Sequence, residues 1–324
     1  MKNIYKFSVA PMLHYTDRHC RFLHRQFTKT ALLYTEMITE NNFVYFQKKN
    51  NISTLHHYEH PIAIQIAGKD PEKLKQCAEI AYLKGYDEIN LNVGCPSKKL
   101  KQAGFGIYLV RNIPLLIKII EKIISSVPIP VSIKTRIGLD EKDDYYFLKN
   151  LIKKTSQYGL CNKFIIHARK ALSHNMSTKA NRTIPPIHYD MVYQLKQDFP
   201  KLTIIINGNI KSMKESKLHL QYVDGVMIGR AIYNNPIILS QVDSKTLGLK
   251  KNTYMKNIVR NMYPYIEKEL SLGTPLHHIS RHILGLFNSI PGSKLWKKYI
   301  NDNVYKKNSD ISILETALKF INVI

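Results

Sequence analysis

No two cysteines in this 324-residue chain stand in a C-x-x-C pair. Cys20, Cys77, Cys95 and Cys161 lie far apart, which excludes a zinc-ligand spacing and a disulfide framework, so no metal is expected and a reducing, cytoplasmic setting is. Long apolar runs are missing too. Stretches such as Ile113 to Ile124 are interrupted by Lys or Glu, and Met1 to Lys6 contain no apolar signal core, so no membrane insertion is expected. The chain has no low-complexity segment, no repeat beyond a recurring βα unit and no dinucleotide fingerprint. Acidic residues are scarce. Only 24 Asp plus Glu face 48 Lys plus Arg, a formal charge of +24 with a pI near 9.7, and that imbalance favours a polyanionic partner if the cations are clustered rather than scattered.

What is present is an alternation of strand and helix. Short β-rich runs occupy Phe7 to Met12, Leu32 to Glu36, Ile62 to Gly68, Glu88 to Val93, Val131 to Arg136, Lys163 to Ala168, Thr203 to Asn207 and Gly225 to Gly229. Between most of them lie helical patterns, such as Pro71 to Lys84 and the amphipathic Pro114 to Ser125. Runs apolar at consecutive positions, like Thr203 to Ile206, suit strands covered by helices outside and packed side chains inside. The expected class is α/β, a (β/α)8 TIM barrel, favoured over an open doubly wound sheet because polar residues stand at nearly every strand end. From about Gln241 the alternation stops, and Thr253 to Leu272, Leu276 to Ile290 and Ser312 to Val323 read as helices. The expected domains are a barrel over 1–241 and a small helical C-terminal domain over 242–324.

In such a barrel the active site sits at the C-terminal ends of the strands. The residues found there, in order, are Ala10-Pro11-Met12, Gln65, Asn92 to Pro96, Lys134 and Arg136, His167-Ala168-Arg169, Asn207-Gly208-Asn209 and Gly229-Arg230. Gly-rich loops after strands seven and eight are the usual phosphate site, and Arg230 adds charge. Gln65 offers an acceptor and two donors and Lys134 a cation, which is what an isoalloxazine edge needs, and His167 can serve similarly. Cys95 lies in a rigid Gly-Cys-Pro turn past a strand end, a place for a proton donor. The plainer readings are an outward Lys134 paired with a helix carboxylate, a satisfied core Gln65, ordinary turns at 207–209 and 229–230, and cysteines acting as small buried hydrophobes. The last is our reading of Cys20, Cys77 and Cys161.

Taken together, Ala10-Pro11-Met12, Leu91 to Ser97, Lys134 to Gly138 and His167-Ala168-Arg169 resemble the tRNA-dihydrouridine synthases over essentially the whole chain. The stretch from His167 through Arg182 to Pro185-Pro186 looks like the bacterial synthase A subgroup. The resemblance implies an FMN-dependent enzyme, re-reduced by NADPH or NADH, that converts uridine to 5,6-dihydrouridine in the D-loop of tRNA at positions 20 and 20a. By it, Pro11, Met12 and Leu13 lie along the flavin, Gln65, Lys134 and His167 contact it, and Asn207, Gly208, Asn209, Gly229 and Arg230 hold its phosphate. Cys95 is then the acid that protonates C5 after hydride reaches C6. Asn92, Lys179, Arg182, Lys294 and Lys297 match positions that touch tRNA, and 242–324 becomes a tRNA-binding domain. Three positions depart from the family pattern: Asn209 stands where Gly is common, and Lys294 and Lys297 where Arg is expected.

The placement of charge agrees with a nucleic-acid partner. Between His167 and Arg182 stand Arg169, Lys170, Lys179 and Arg182 with no carboxylate, and 242–324 carries 13 Lys plus Arg against 6 Asp plus Glu. The competing readings are an FMN barrel acting on a free small molecule such as a dihydropyrimidine, which has no use for this basic loop, and a non-catalytic tRNA-binding protein, which has none for the flavin residues. Trp296, beside Lys297 and Lys298, could stack on RNA, but its helical spacing from Ile300 equally suits a core position. A monomer is expected.

Overall fold

A computed structural model describes residues 6–48, 57–142, 144–157, 160–173, 176–243 and 251–321. Its strands are β1 (Phe7–Val9), β2 (Leu32–Thr39), β3 (Ile62–Ala67), β4 (Glu88–Val93), β5 (Val131–Arg136), β6 (Lys163–His167), β7 (Thr203–Asn207) and β8 (Gly225–Ile228). They pair in parallel, in sequence order, and β8 closes on β1, so the sheet is a closed barrel.

Local chemistry explains the helices between them. The helix Pro71–Leu83 starts where the Asp70 carboxylate accepts the Glu72 and Lys73 N–H groups and Pro71 takes a position whose N–H would have had no partner. The helix Ile113–Ser126 is capped by Asn112 and buries Leu116, Ile119, Ile120 and Ile123, a single stripe at i, i+3, i+4 and i+7.

The chain separates into two compact units. One runs through Leu13 and from Ala31 to Gly229; the other joins His14–Thr30 to the residues from Arg230 onward. The break thus falls at Gly229/Arg230 rather than at 241/242, and the first helix, Arg18–Phe27, goes with the C-terminal helices. Specific contacts within the second unit account for this. The Thr28 hydroxyl and the Lys29 N–H donate to the Asp243 carboxylate at 2.9 and 2.6 Å, Arg18 pairs with Glu269 at 2.6 Å, and Phe22 stacks on Tyr265.

The C-terminal helices depart from the sequence reading in three places. The expected helix 253–272 is broken into Lys251–Asn261 and Tyr263–Ser271, because Pro264 has no N–H for a preceding turn. Only Leu276–Ser280 of the expected 276–290 is α-helical, and i→i−3 turns follow across Gly285 to Ser289, whose φ is 65°. Ser293–Asn303 is a helix of which the sequence discloses only the spacing between Trp296 and Ile300. The last one spans Ser312–Leu318; Asn322 and Val323, expected at its end, lie outside the described residues, as do Met1 to Tyr5.

Inside the barrel, alternate residues of each strand face the axis. Ala10, Leu32, Tyr34, Ala63, Ile165, Ile205 and Met227 form one apolar cluster there. On β3 to β6 the interior is not apolar as expected. Gln65, Glu88, Asn90, Asn92, Ser132 and Lys163 are buried and joined by hydrogen bonds.

Candidate functional site

Register fixes which residues reach the rim. Gln65 pairs with Asn90 and Asn90 with Ser132, while one step further along β4 and β5 Asn92 pairs with Lys134. Arg136 pairs with His167, His167 with Asn207 and Asn207 with Met227. Ser132 faces inward, since its hydroxyl bonds Glu88, so Lys134, two residues on, also faces inward toward the C-terminal end. It is therefore not an outward residue paired with a helix carboxylate.

Lys134 makes no hydrogen bond or ion pair among the described residues, and loss of water with the nearby Arg136 charge pushes its ammonium pKa down to about 7. His167 is held well below the usual imidazole range by burial and then by Arg136, Lys134 and Arg169, so it is neutral. Its Nδ1 is buried without a partner. Gln65 donates from Nε2 to Asn90 Oδ1 at 2.6 Å and accepts at Oε1 from Asn92 Nδ2 at 2.9 Å, which leaves one N–H and one lone pair. A buried orphan nitrogen, an unpaired cation and a half-used amide ask for a polar, electron-rich ligand edge, and a flavin pyrimidine ring fits them.

The β7 loop has the conformation a phosphate cradle needs. Gly208 has φ 132° and a Cβ there would meet Ile187 Cδ1 at 3.3 Å, and Asn209 sits in the left-handed region at φ 53°. Asn tolerates that region, so the replacement of Gly at 209 leaves the backbone path intact. The Asn207 side chain donates to the Met227 carbonyl at 2.8 Å and the Tyr189 hydroxyl to the Gly208 carbonyl at 2.6 Å, fixing the loop from both sides. Pro11 and Met12 are half-buried after β1, and Leu13 is exposed. Arg230, next along the chain from Gly229, is exposed at the start of the short helix Arg230–Asn234.

Cys95 is half-buried, unlike Cys20, Cys77 and Cys161, which are buried. Burial raises the Cys77 and Cys161 thiols to about 12, which suits inert fillers. The turn carrying Cys95 is clamped at both ends. Asn92 Oδ1 accepts the N–H groups of Gly94 and Cys95 at 3.1 and 3.0 Å, and the Cys95 carbonyl accepts from Ile107 N–H at 3.3 Å. A Cβ on Gly106 would lie 2.7 Å from that carbonyl, so the approach requires glycine.

The expected tRNA residues fall in three places. Asn92 is 8% exposed and its side chain is spent on Gln65 and the Cys95 turn, so a role in holding that turn is visible that the sequence did not disclose. Lys179 and Arg182 are exposed on a loop pinned by Arg136, whose Nη1 donates to the carbonyls of Lys170 and Asn181, each at 3.0 Å, and whose Nε donates to Gly94 at 2.9 Å. In the second unit, Lys294 is exposed and Lys297 bonds Asn288 at 2.5 Å, both on the helix Ser293–Asn303. Trp296 is fully buried and packs edge-on against Phe287 at 4.9 Å, the core position that its spacing from Ile300 allowed.

Sequence reasoning places Arg136 at a strand end without giving it a role, and it misses Glu88, Asn90, Ser132 and Lys163. A signal was available: in Glu-Ile-Asn-Leu-Asn-Val the polar residues recur with period two, the mark of a polar interior face. Among the described residues no cluster of His, Cys, Asp and Glu is arranged to hold a metal, and no single helix is long and apolar enough to cross a membrane.

The dihydrouridine synthase family profile matches residues 8–322. A tRNA-dihydrouridine(20/20a) synthase of Escherichia coli O6:H1 is 50% identical over 318 residues, covering 98% of this chain and 96% of that protein. Enzymes with the same name from Salmonella typhimurium and Vibrio parahaemolyticus are 48% and 46% identical, covering 98% and 97% of this chain and 95% and 96% of their own. With the barrel closed, its rim polar and the match running nearly end to end, the chain belongs to the dihydrouridine synthase family and is an oxidoreductase that makes dihydrouridine.

Proposed function

We infer that this chain reduces uridine in the D-loop of tRNA, at positions 20 and 20a, with FMN held across the barrel mouth and NADPH as the external reductant. The relatives carrying that positional name, and the length over which they match, support the substrate. The observation that carries the reading is the pairing of two features on one rim: a half-buried thiol at Cys95 on a clamped turn, and the unpartnered Lys134 and His167 Nδ1.

When bound, reduced FMN supplies a hydride to C6 of uracil. That leaves enolate charge conjugated to the C4 carbonyl, and Cys95 donates the proton that completes C5, so the double bond gains one hydride and one proton. Lys134 would hold negative charge at the flavin pyrimidine edge, Gln65 and His167 would orient that edge, and Asn207, Gly208, Asn209, Gly229 and Arg230 would take the phosphate. Pro11, Met12 and Leu13 lie along the ring. Because the target base is stacked within folded RNA, it must be turned out to reach the rim. Lys179, Arg182, Lys294 and Lys297 contact the tRNA, the last two as point charges where an arginine fork would bind bidentately, while Asn92, matched to the same set by resemblance, holds the Cys95 turn beneath it.

The deciding experiment maps dihydrouridine in tRNA from cells that rely on wild-type protein or on Cys95→Ala. The expected result is loss of the modification at positions 20 and 20a in the variant, with kcat lowered at least about 100-fold in vitro and FMN content unchanged. Normal dihydrouridine with Cys95→Ala would remove the acid assignment, and colourless wild-type protein would remove the flavin.

A further inference from the structure

Inside the barrel, one run of hydrogen bonds is donated in a single direction. The Gly94 and Cys95 N–H groups donate to Asn92 Oδ1. Asn92 Nδ2 then donates to Gln65 Oε1, Gln65 Nε2 to Asn90 Oδ1, and Asn90 Nδ2 to Ser132 Oγ at 2.7 Å. The Ser132 hydroxyl donates to Glu88 Oε1, and the other Glu88 oxygen accepts from Lys163 at 2.5 Å. Tyr34 also donates to Glu88, at 2.9 Å.

The direction is fixed at both ends: the Gly94 and Cys95 N–H groups can only donate, so Asn92 turns its oxygen to them and its nitrogen to Gln65, and Glu88 holds the far end. An ionised carboxylate can only accept and an ammonium can only donate, so Glu88 obliges Ser132 to point its proton down and offer its lone pair to Asn90. Asn90 must then present nitrogen to Ser132 and oxygen to Gln65. Gln65 in turn presents nitrogen to Asn90 and oxygen to Asn92, and Asn92 presents oxygen to the Cys95 turn. The two ends of a terminal amide are nearly the same shape, so packing does not choose between them; the backbone donors at one end and the carboxylate at the other do. Reversal would set Asn92 Nδ2 against two backbone donors and release the turn. Glu88, Ser132, Asn90, Gln65 and Lys163 are all 2% exposed or less, so water has no route to repair a broken link. A buried ion pair is also a poor device for stability alone, because apolar residues of similar volume serve as well or better.

We propose that Glu88, held by Lys163, is a remote positioning residue that locks the run from its far end, fixing the amides of Asn90 and Gln65 so that Asn92 and with it the Cys95 turn are held in one placement. The proposal deepens the function inferred above, in which Gln65 faces the flavin edge and Cys95 delivers the proton. Its chemistry is conformational: no bond forms or breaks, and no proton travels along the run.

Two variants test it. Ser132→Ala cuts the run but leaves the Glu88–Lys163 pair intact, and Glu88→Leu combined with Lys163→Met removes the pair without stranding a charge. Each is compared with wild-type holoenzyme for thermal unfolding, the shape of the bound-flavin absorption band, KM and kcat with tRNA, and the rate at which iodoacetamide alkylates Cys95, the other cysteines being buried. Both variants should fold, keep KM for tRNA and lose about tenfold in kcat, with a changed flavin band and a Cys95 alkylation rate altered at least about threefold. A wild-type flavin band and alkylation rate in Ser132→Ala overturns the proposal, whatever happens to turnover, because a purely structural loss moves neither. If the double variant fails to fold, Ser132→Ala decides alone. Failure of the parent reading is separate: it appears as full turnover in Cys95→Ala or absent flavin in the wild type, and the alkylation rate still reports on positioning.

Discussion

Arg136 and His167 are register partners across β5 and β6, so a fixed cation lies beside an imidazole already stripped of water. That geometry keeps His167 neutral and leaves its Nδ1 seeking a partner. In the flavin-free protein, the His167 ring should show no titration by nitrogen NMR between pH 5 and 8. A midpoint near 6.5 would mean that the ring is not enclosed as described. His167→Ala should weaken flavin retention, measured by the dissociation constant of FMN, with little change in secondary structure.

Lys134 makes a second pH prediction. Its ammonium pKa falls from 10.5 to about 7 on folding, so the unfolded chain binds more protons between those values and this residue's contribution to stability is present in full above 10.5 and lost as pH falls toward 7. The flavin-free protein should therefore gain stability from pH 7 upward, with this residue adding at most about 1.4 kcal/mol per pH unit. Lys134→Met should flatten that rise and make the flavin-free protein more stable at pH 7, read by urea denaturation. The same variant should slow flavin reduction by NADPH. An unchanged pH slope would show that the ammonium is solvated after all.

Asn209 stands in the left-handed backbone region. Asn209→Gly should leave FMN affinity and melting temperature nearly unchanged, whereas Asn209→Val should cost about 1–2 kcal/mol and loosen FMN, because a β-branched side chain is strained there. Equal behaviour of the two substitutions in calorimetry would mean that the loop takes another path.

The exposed cations predict a salt signature. Binding of tRNA should weaken steeply as salt rises, and Lys179→Ala and Arg182→Ala should each reduce the slope of log K against log salt by about one. Filter binding across a salt series measures it. A slope that neither substitution alters would place the RNA elsewhere.

The barrel was legible because its strands are separated by well-capped helices and end in polar residues; β3 to β8 fall within a residue of their expected bounds. The inward placement of Lys134, His167 and Asn207 at the C-terminal strand ends was legible for the same reason, since strand ends are read off the same alternation. The buried polar run was not. Glu88 and Lys163 look like strand-end surface charges in one dimension, and only the pairing of β4 and β6 on the two flanks of β5, with both side chains turned inward, lets the pair meet across it. The break before Tyr263 was missed because the apolar periodicity continues through Pro264, and the division at Gly229 because the segment holding the first helix to the C-terminal unit, His14–Thr30, is more than 200 residues away in sequence.

Arg136 grips its neighbours through backbone oxygens alone: those of Gly94, Lys170 and Asn181. A guanidinium that reads only main chain is indifferent to which side chains hang from it. The main chain at Lys170 and Asn181 is therefore tied to the turn that carries Cys95 whatever side chains stand between those two positions.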